Sequence, residues 1–441
     1  MEGIKSLSQS LFNNEQQFRD PPVGYKFDTA ELNIIPNDPS DPSDPSSERV
    51  KLSSLREDDL CAWLPSTASL NVRGCKTEAR LRIVCILRHL DVSLCISRSG
   101  FTRIFDSMKA DPSVKYMICR DYDGFHEFHG DGFRLTRFLG NSWYALVWTF
   151  DPDTVTTTAL FLDRRRRHVF ARFTDVLHEF RSLACTPSLL SFVSCYFLLQ
   201  FCDLDTGGWE IGTVRNVEQR TGFGPHPMGY RGLEPLSLLK NFDINQLTSW
   251  LQAVNEVAGN AGNRIRHMNT CLSVLKIICD EHRRGEQHGI SGQALDRCQD
   301  CLATIIKAIP AVERHMLAYV DYLSFLKERS ERLSTVVRPL LTHEDAHASI
   351  DLAAASRRDG SSMKTIAVMT MVFLPATFYA ALFAVPSLQW DHGSAIIQDN
   401  FWVYWAFTLP TTLVVFLVWL GITGRGWIRE KALAVYKSHT T

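Results

Sequence analysis

This chain of 441 residues lacks a surplus of charge: 47 Lys and Arg stand against 48 Asp and Glu, a formal net charge of −1. No overall field therefore draws it to nucleic acid. The one basic run, Arg164 to Arg167, stands alone. It reads as a solvated helix start after a strand, with a nucleic-acid patch or a contact to an anionic lipid or nucleotide as alternatives. The first residues, MEGIKSLSQSLFNNEQQ, contain no apolar core of signal-peptide length and lack the Arg-rich, acid-poor texture of a transit peptide, so neither leader is expected. No cysteine follows Cys301. All 12 lie from Cys61 to Cys301, a placement that fits free thiols in a reducing compartment without a disulfide framework. Cys298 and Cys301 form a C-x-x-C, but no second pair sits at a zinc-ribbon distance. Two partly buried thiols on one helix face is the plainer reading, and a zinc or redox role the other.

Enzyme signatures are missing as well. Ser, His and Asp occur without nucleophile-elbow spacing, and the glycines of TGFGPHPMGY at Thr221 to Tyr230 have neither Walker A nor dinucleotide spacing. His226 in that stretch reads as a loop residue. THEDAHAS at Thr342 to Ser349 lacks the H-E-x-x-H order, although His343 and His347 lie four apart beside Glu344 and Asp345. An ordinary solvated helix face and a regulatory metal contact both fit that spacing. No catalytic residue and no resident cofactor are expected, and the chain does not read as an enzyme.

Hydrophobic residues make up 45% of the sequence and charged ones 22%, enough for two or three domains and a sizeable core. Residues 1–50 read as a disordered polar tail, because PNDPSDPSDPSS from Pro36 to Ser47 cannot bury apolar surface. From Leu81 the texture changes. LRIVCIL, KYMICR near Lys115, FHEFHG near Phe125, YALVWTF near Tyr144 and TTALFLD near Thr157 look like strands, while SGFTRIFDSMKADP has helical spacing. HVFARFTDVLHEFRSL and PSLLSFVSCYFLLQF read as amphipathic or buried helices. The apolar run of the second is too short to span a bilayer. An α/β module with helices is thus expected over residues 51–235. Residues 236–362 carry apolar residues at three and four spacing and read as a helical stalk, with Pro310 and Pro339 marking kinks or helix starts.

The chain then lacks charge altogether from Thr365 to Trp390, longer than the roughly 20 residues that cross a hydrocarbon core. A second such run, FWVYWAFTLPTTLVVFLVWLGI, fills Phe401 to Ile422. The expected layout is a first transmembrane helix over 363–386, a short acidic outer loop over 387–400, a second helix over 401–422 and a basic tail over 423–441. Arg357, Arg358 and Lys364 precede the first span and Arg425, Arg429 and Lys431 follow the second, while the loop has no Lys or Arg. Both termini are expected on the cytosolic side. The first span is the more polar one. Its Thr370, Leu374, Thr377 and Ala381 share one helical stripe that extends back through Ile366 to Met363. Plain helix packing, with each Thr bonded to its own backbone, and the wall of a pore are both open on spacing alone.

SMKTIAVMTMVFLPATFYAALF at Ser362 to Phe383 resembles the first transmembrane helix of CorA-type magnesium transporters, above all the divergent branch common in fungi. FWVYWAFTLP at Phe401 to Pro410 resembles the start of that branch's second helix. The resemblance covers about 60 residues and implies a CorA-like α+β fold: a cytosolic α/β module with a long helical stalk, then a C-terminal two-helix transmembrane hairpin. It further implies a homopentamer in a lipid bilayer whose first helices surround an axial pore for divalent cations, Mg²⁺ foremost. By position the pore residues are Met363, Ile366, Thr370, Leu374 and Thr377, the same stripe that spacing picks out. The family's Gly-Met-Asn falls at Ala384, Val385 and Pro386, so the selecting asparagine is absent. At that outer mouth, Asp391 and Asp399 are left to gather cations. The position of the family's gating aspartate holds Ser349, with Asp351 close by; His343, Glu344, His347 and Asp351 are therefore the candidate regulatory set. Two functions stay open: a divalent-cation channel with relaxed selectivity, and a non-conducting membrane-anchored sensor or scaffold on the same architecture.

Overall fold

The computed structural model describes residues 2–34, 50–64, 71–72, 75–76, 79–89, 91–129, 135–164, 169–206, 209–223, 242–286, 289–290, 292–384 and 401–438. Its elements run α1 (Glu2–Glu15), β1 (Phe27–Ile34), β2 (Lys51–Leu55), α2 (Glu57–Trp63), the short pair β3 (Asn71–Val72) and β4 (Cys75–Lys76), β5 (Ala79–Leu87), α3 (Arg98–Met108), α4 (Val114–Cys119), β6 (Gly124–His129), β7 (Leu135–Gly140), β8 (Tyr144–Asp151), β9 (Thr156–Asp163), α5 (Val169–Glu179), α6 (Leu189–Thr206), α7 (Trp209–Thr221), α8 (Ile244–Arg284), α9 (Gln293–Phe383) and α10 (Phe401–Ser438). The chain divides into two units, Met1–Leu238 with Asn245–Arg338, and Leu239–Ile244 with Pro339–Thr441.

The first unit is built on a seven-stranded mixed sheet of order β2-β1-β5-β9-β8-β7-β6. Only β5 and β9 run parallel, with Val84 opposite Leu160; every other neighbour pair is antiparallel. The central strands are apolar on both faces, the pattern of a sheet covered on two sides. Tyr144, Leu146, Trp148 and Phe150 of β8, with Ala159 and Phe161 of β9, join one core with α5, α6, α8 and α9. Ala145 and Val147, with Leu160 and Leu162, turn the other way and join a second core with residues of α1, α2, α3 and α4. Trp148, Tyr144, Phe161 and Phe173 are among the fully buried side chains, each contributing about 1.5–3 kcal/mol of transfer free energy on burial.

Three sequence expectations change here. Residues 1–50 are not one disordered tail: α1 and β1 fold into the first unit, with Phe12 stacked on Phe101 at 5.3 Å and β1 paired on both edges. FDTAELNI has the alternating burial of a strand, a signal masked by the polar composition around it. The Pro-Ser-Asp repeat itself lies outside the described residues. KYMICR is helix rather than strand. Asp111 accepts the N–H of Ser113 at 2.9 Å, the turn so formed starts α4, and Val114, Lys115 and Ile118 are buried on one helical face. The stalk does not begin at residue 236 as a separate part. Met268, Cys271 and Ile278 of α8 and Ile305, Ile309 and Met316 of α9 share the core of the sheet, so Asn245–Arg338 belongs to the first unit.

Neither Pro310 nor Pro339 breaks α9. Each removes one backbone donor, but both rings lie on the exposed side of the helix. Thr335, whose carbonyl loses its partner to Pro339, is exposed too, so water can take that bond.

Arg164, the first of the basic run, is buried rather than solvated. Its Nε lies 2.7 Å from Asp121 and its Nη1 2.6 Å from Asp123, and Nη1 also donates to the carbonyl of Asn141. Three further arginines without sequence motif are paired in the same way, one between sheet and helix and two between helices. Arg137 of β7 is paired with Glu127 and Glu281, Arg264 with Glu210, and Arg329 with Glu218 through two bonds of 2.5 Å.

Candidate functional site

The second unit contains the end of α9 and α10. Among the described residues, three windows are long and apolar enough to cross a membrane, within Leu189–Thr221, Ala294–Phe383 and Trp402–Gly421. The first is the core helix α6, whose Phe192, Val193, Phe197 and Leu198 are buried against the sheet. The other two expose their apolar side chains in the single chain, Phe373, Phe378, Trp402, Leu413 and Leu417 among them, and are the candidate transmembrane helices.

Within the pair, Ala367, Val368, Met371, Pro375, Ala376, Tyr379 and Phe383 are the covered positions of α9, three and four residues apart as one helix face requires. Polar contacts fix what that face meets. Tyr379 and Thr411 share a hydrogen bond of 3.0 Å, and the Tyr404 hydroxyl donates to the carbonyl of Ala376 at 3.2 Å. Tyr379 also meets Phe407, ring to ring, at 6.1 Å. In an apolar medium such bonds hold two helices together where the hydrophobic effect cannot. The sequence reading missed these residues as a set. Tyr and Thr inside a charge-free run were the available signal, but only the pairing of the helices shows which of them meet.

The expected pore stripe lies on the remaining face. Met363, Ile366 and Leu374 are 72%, 63% and 70% exposed, and Thr370, Thr377 and Ala381 are exposed as well. At about 100° per residue the stripe is roughly 150° around α9 from the face that meets α10. Thr370 donates to the carbonyl of Ile366 at 3.0 Å and Thr377 to that of Phe373 at 2.9 Å. Each hydroxyl hydrogen is thus satisfied inside the helix, as the packing alternative foresaw, while the oxygen lone pairs stay outward and able to accept.

Of the outer-mouth residues, Ala384 follows α9 with its N–H 3.2 Å from the carbonyl of Ala380. Val385, Pro386, Asp391 and Asp399 lie outside the described residues, as does the stretch 224–230 with His226. The candidate regulatory residues sit on exposed turns of α9. His343 and His347 meet ring to ring with centroids 4.5 Å apart, and Glu344 approaches His343 Nδ1 at 3.7 Å. Asp351 does not join them: among the described residues no three His, Cys, Asp or Glu side chains form a metal-binding group.

The cysteines whose side chains are described, Cys185, Cys298 and Cys301 among them, are free. Cys298 and Cys301 are joined by a third thiol that the sequence reading did not bring there, Cys185. A hydrogen bond to Cys301 and burial hold the Cys185 thiol far above its usual range, and the same bond pulls Cys301 down. Burial raises Cys298 to about 11.

Taken by its own geometry, the chain is an α/β domain bearing long helices and ending in two apolar helices of membrane-spanning length. No family model matches it. A 69-residue segment is 42% identical to the notoamide biosynthesis cluster protein M′ of Aspergillus versicolor, a match that spans 15% of this chain and 15% of that relative. Among solved structures, full-length CmaX aligns with 90% of this chain and 97% of its own, at 12% identity and a TM-score of 0.39.

Proposed function

We propose that the protein is a CorA-like homopentameric channel or transporter for divalent metal cations, Mg²⁺ above all, with selectivity relaxed by the loss of Gly-Met-Asn. The observation that carries the reading is the exposed threonine stripe on the face of α9 opposite α10. A hairpin facing lipid all round gains nothing from hydroxyls there, whereas copies arranged about an axis turn that face to water. α10 then forms the outer ring, and the excess of Lys and Arg outside the hairpin sets both termini on the cytosolic side.

In this arrangement Thr370 and Thr377 present rings of oxygen acceptors to a passing ion, with Leu374 as an apolar constriction between them and Met363 and Ile366 as two more before Thr370. Mg²⁺ gives up its water reluctantly, so it passes with its hydration shell. Asp391 and Asp399 raise the local cation concentration at the entrance, where Pro386 has no side-chain oxygen with which to select.

Flux of Mg²⁺, Zn²⁺, Co²⁺ and Ni²⁺ into proteoliposomes under an inside-negative potential tests the reading. Thr377→Phe is expected to reduce flux strongly, because the bulkier ring fills the constriction. Replacing Ala384, Val385 and Pro386 by Gly, Met and Asn is expected to sharpen preference for Mg²⁺. No flux of any of the four ions from the intact protein would establish the sensor or scaffold instead.

A further inference from the structure

The imidazole pair on α9 has no part in the pore, and its chemistry differs from that of the threonine stripe. We propose that His343 and His347 chelate a borderline transition-metal dication, Zn²⁺, Ni²⁺, Co²⁺ or Cu²⁺, on the exposed surface of the helix.

The two residues are one turn apart, which places their side chains on the same face. Their ring centroids are 4.5 Å apart with planes at 64°, so the rings converge without stacking flat on each other. Two imidazole nitrogens at the usual metal distance of about 2.0–2.1 Å would close a chelate over that single turn, with water or solvent anions completing the shell. The Glu344 carboxylate, 3.7 Å from His343 Nδ1, supplies negative charge next to the pair. Among the described residues, no other ion pair or ring contact occupies either imidazole. Nitrogen donors favour late first-row dications, whereas Mg²⁺ and Ca²⁺ prefer oxygen. The site is therefore blind to the ion that the stripe is proposed to pass.

Its position separates it further from the stripe. At about 100° per residue, His343 and His347 lie roughly opposite the line from Met363 to Ala381 around α9. A metal there lines no pore, and the inference does not depend on conduction. The chelate spans residues 343–347, the full helical turn that begins one turn after Pro339 in α9. A ligand that binds only the helical form of that turn stabilises it.

The test uses the tag-free full-length protein in detergent micelles, titrated calorimetrically with Zn²⁺ in the presence of excess Mg²⁺. One Zn²⁺ per chain is expected to bind in a phase that Mg²⁺ does not displace. The His343→Ala/His347→Ala double variant should lose that phase, and Glu344→Gln should weaken it about tenfold, the usual effect of an outer carboxylate partner. His315→Ala, another exposed histidine of α9, should leave it intact. Hydrogen exchange of the native chain supplies a reading that does not require a folded variant: Zn²⁺ should slow exchange at residues 343–347. Undiminished binding in the double variant, displacement by Mg²⁺, or unchanged exchange in that turn would each overturn the assignment.

Discussion

Arg137 shows how single residues hold the first unit together. It is 1% exposed, in a strand whose six residues are all buried. Its guanidinium meets Glu127 at 2.6 Å, Glu281 of α8, and the carbonyl of Pro187 at 3.3 Å, while Ser188 donates to Glu281 at 3.1 Å. A buried cation is tolerated only when such partners replace its water, and removing one partner leaves the others stranded. Arg137→Ala is therefore expected to cost about 3–5 kcal/mol, seen as a lowered denaturation midpoint of the detergent-solubilised chain. Asp111 sets an acid limit. Burial alone would raise its carboxyl, but hydrogen bonds from Ser113 and Lys5 outweigh it and hold it below the usual carboxylate range. The folded carboxyl binds its proton less tightly than the unfolded one. Its contribution is complete above the unfolded value, about 4, and lost as pH falls through the depressed folded value. Asp111→Asn should lower the thermal midpoint at neutral pH and flatten its decline below about pH 4. An unchanged profile would remove Asp111 from the account.

At the scale of elements, the two faces of α9 make separable predictions. Tyr379→Phe and Tyr404→Phe each delete one inter-helix hydrogen bond and should weaken the hairpin by about 0.6 kcal/mol, and at most about 1.7, as such bonds do in bilayers. Thr370→Val touches the opposite face and should leave hairpin stability unchanged while altering flux. Steric-trapping measurements of hairpin association beside liposome flux separate the two effects; equal loss of both in either variant would contradict the division of faces. The elements also mark where sequence reading reaches. LRIVCIL, YALVWTF and TTALFLD were legible as strands because apolar, β-branched and aromatic runs of that length have few other uses. KYMICR has the same texture, but at six residues its period cannot be told from a helical turn, and the Asp111 bond to Ser113 decides it. β1 was hidden by averaging over a polar neighbourhood. The six-residue β7, LTRFLG, carries an arginine whose partners come from β6 and a helix more than a hundred residues away.

For the whole molecule, the pore reading requires several copies, and the mass of the detergent-solubilised complex is expected to be that of a pentamer. A lone subunit would end that reading. Because no native cysteine follows Cys301, cysteines introduced at Thr370 and Thr377 in an otherwise unaltered chain are the only thiols of the second unit. Both should react with a membrane-impermeant reagent, and one at Val372 should not. Composition and periodicity alone determined that the C-terminal runs are apolar and that one is marked by threonines, because charge-free length and helical spacing are local properties. Tertiary structure decided which face of α9 meets α10 and that α8 and the first part of α9 belong with the sheet. Each of these depends on which surfaces meet across long separations in the chain, and burial against a partner leaves no mark in a single run of residues.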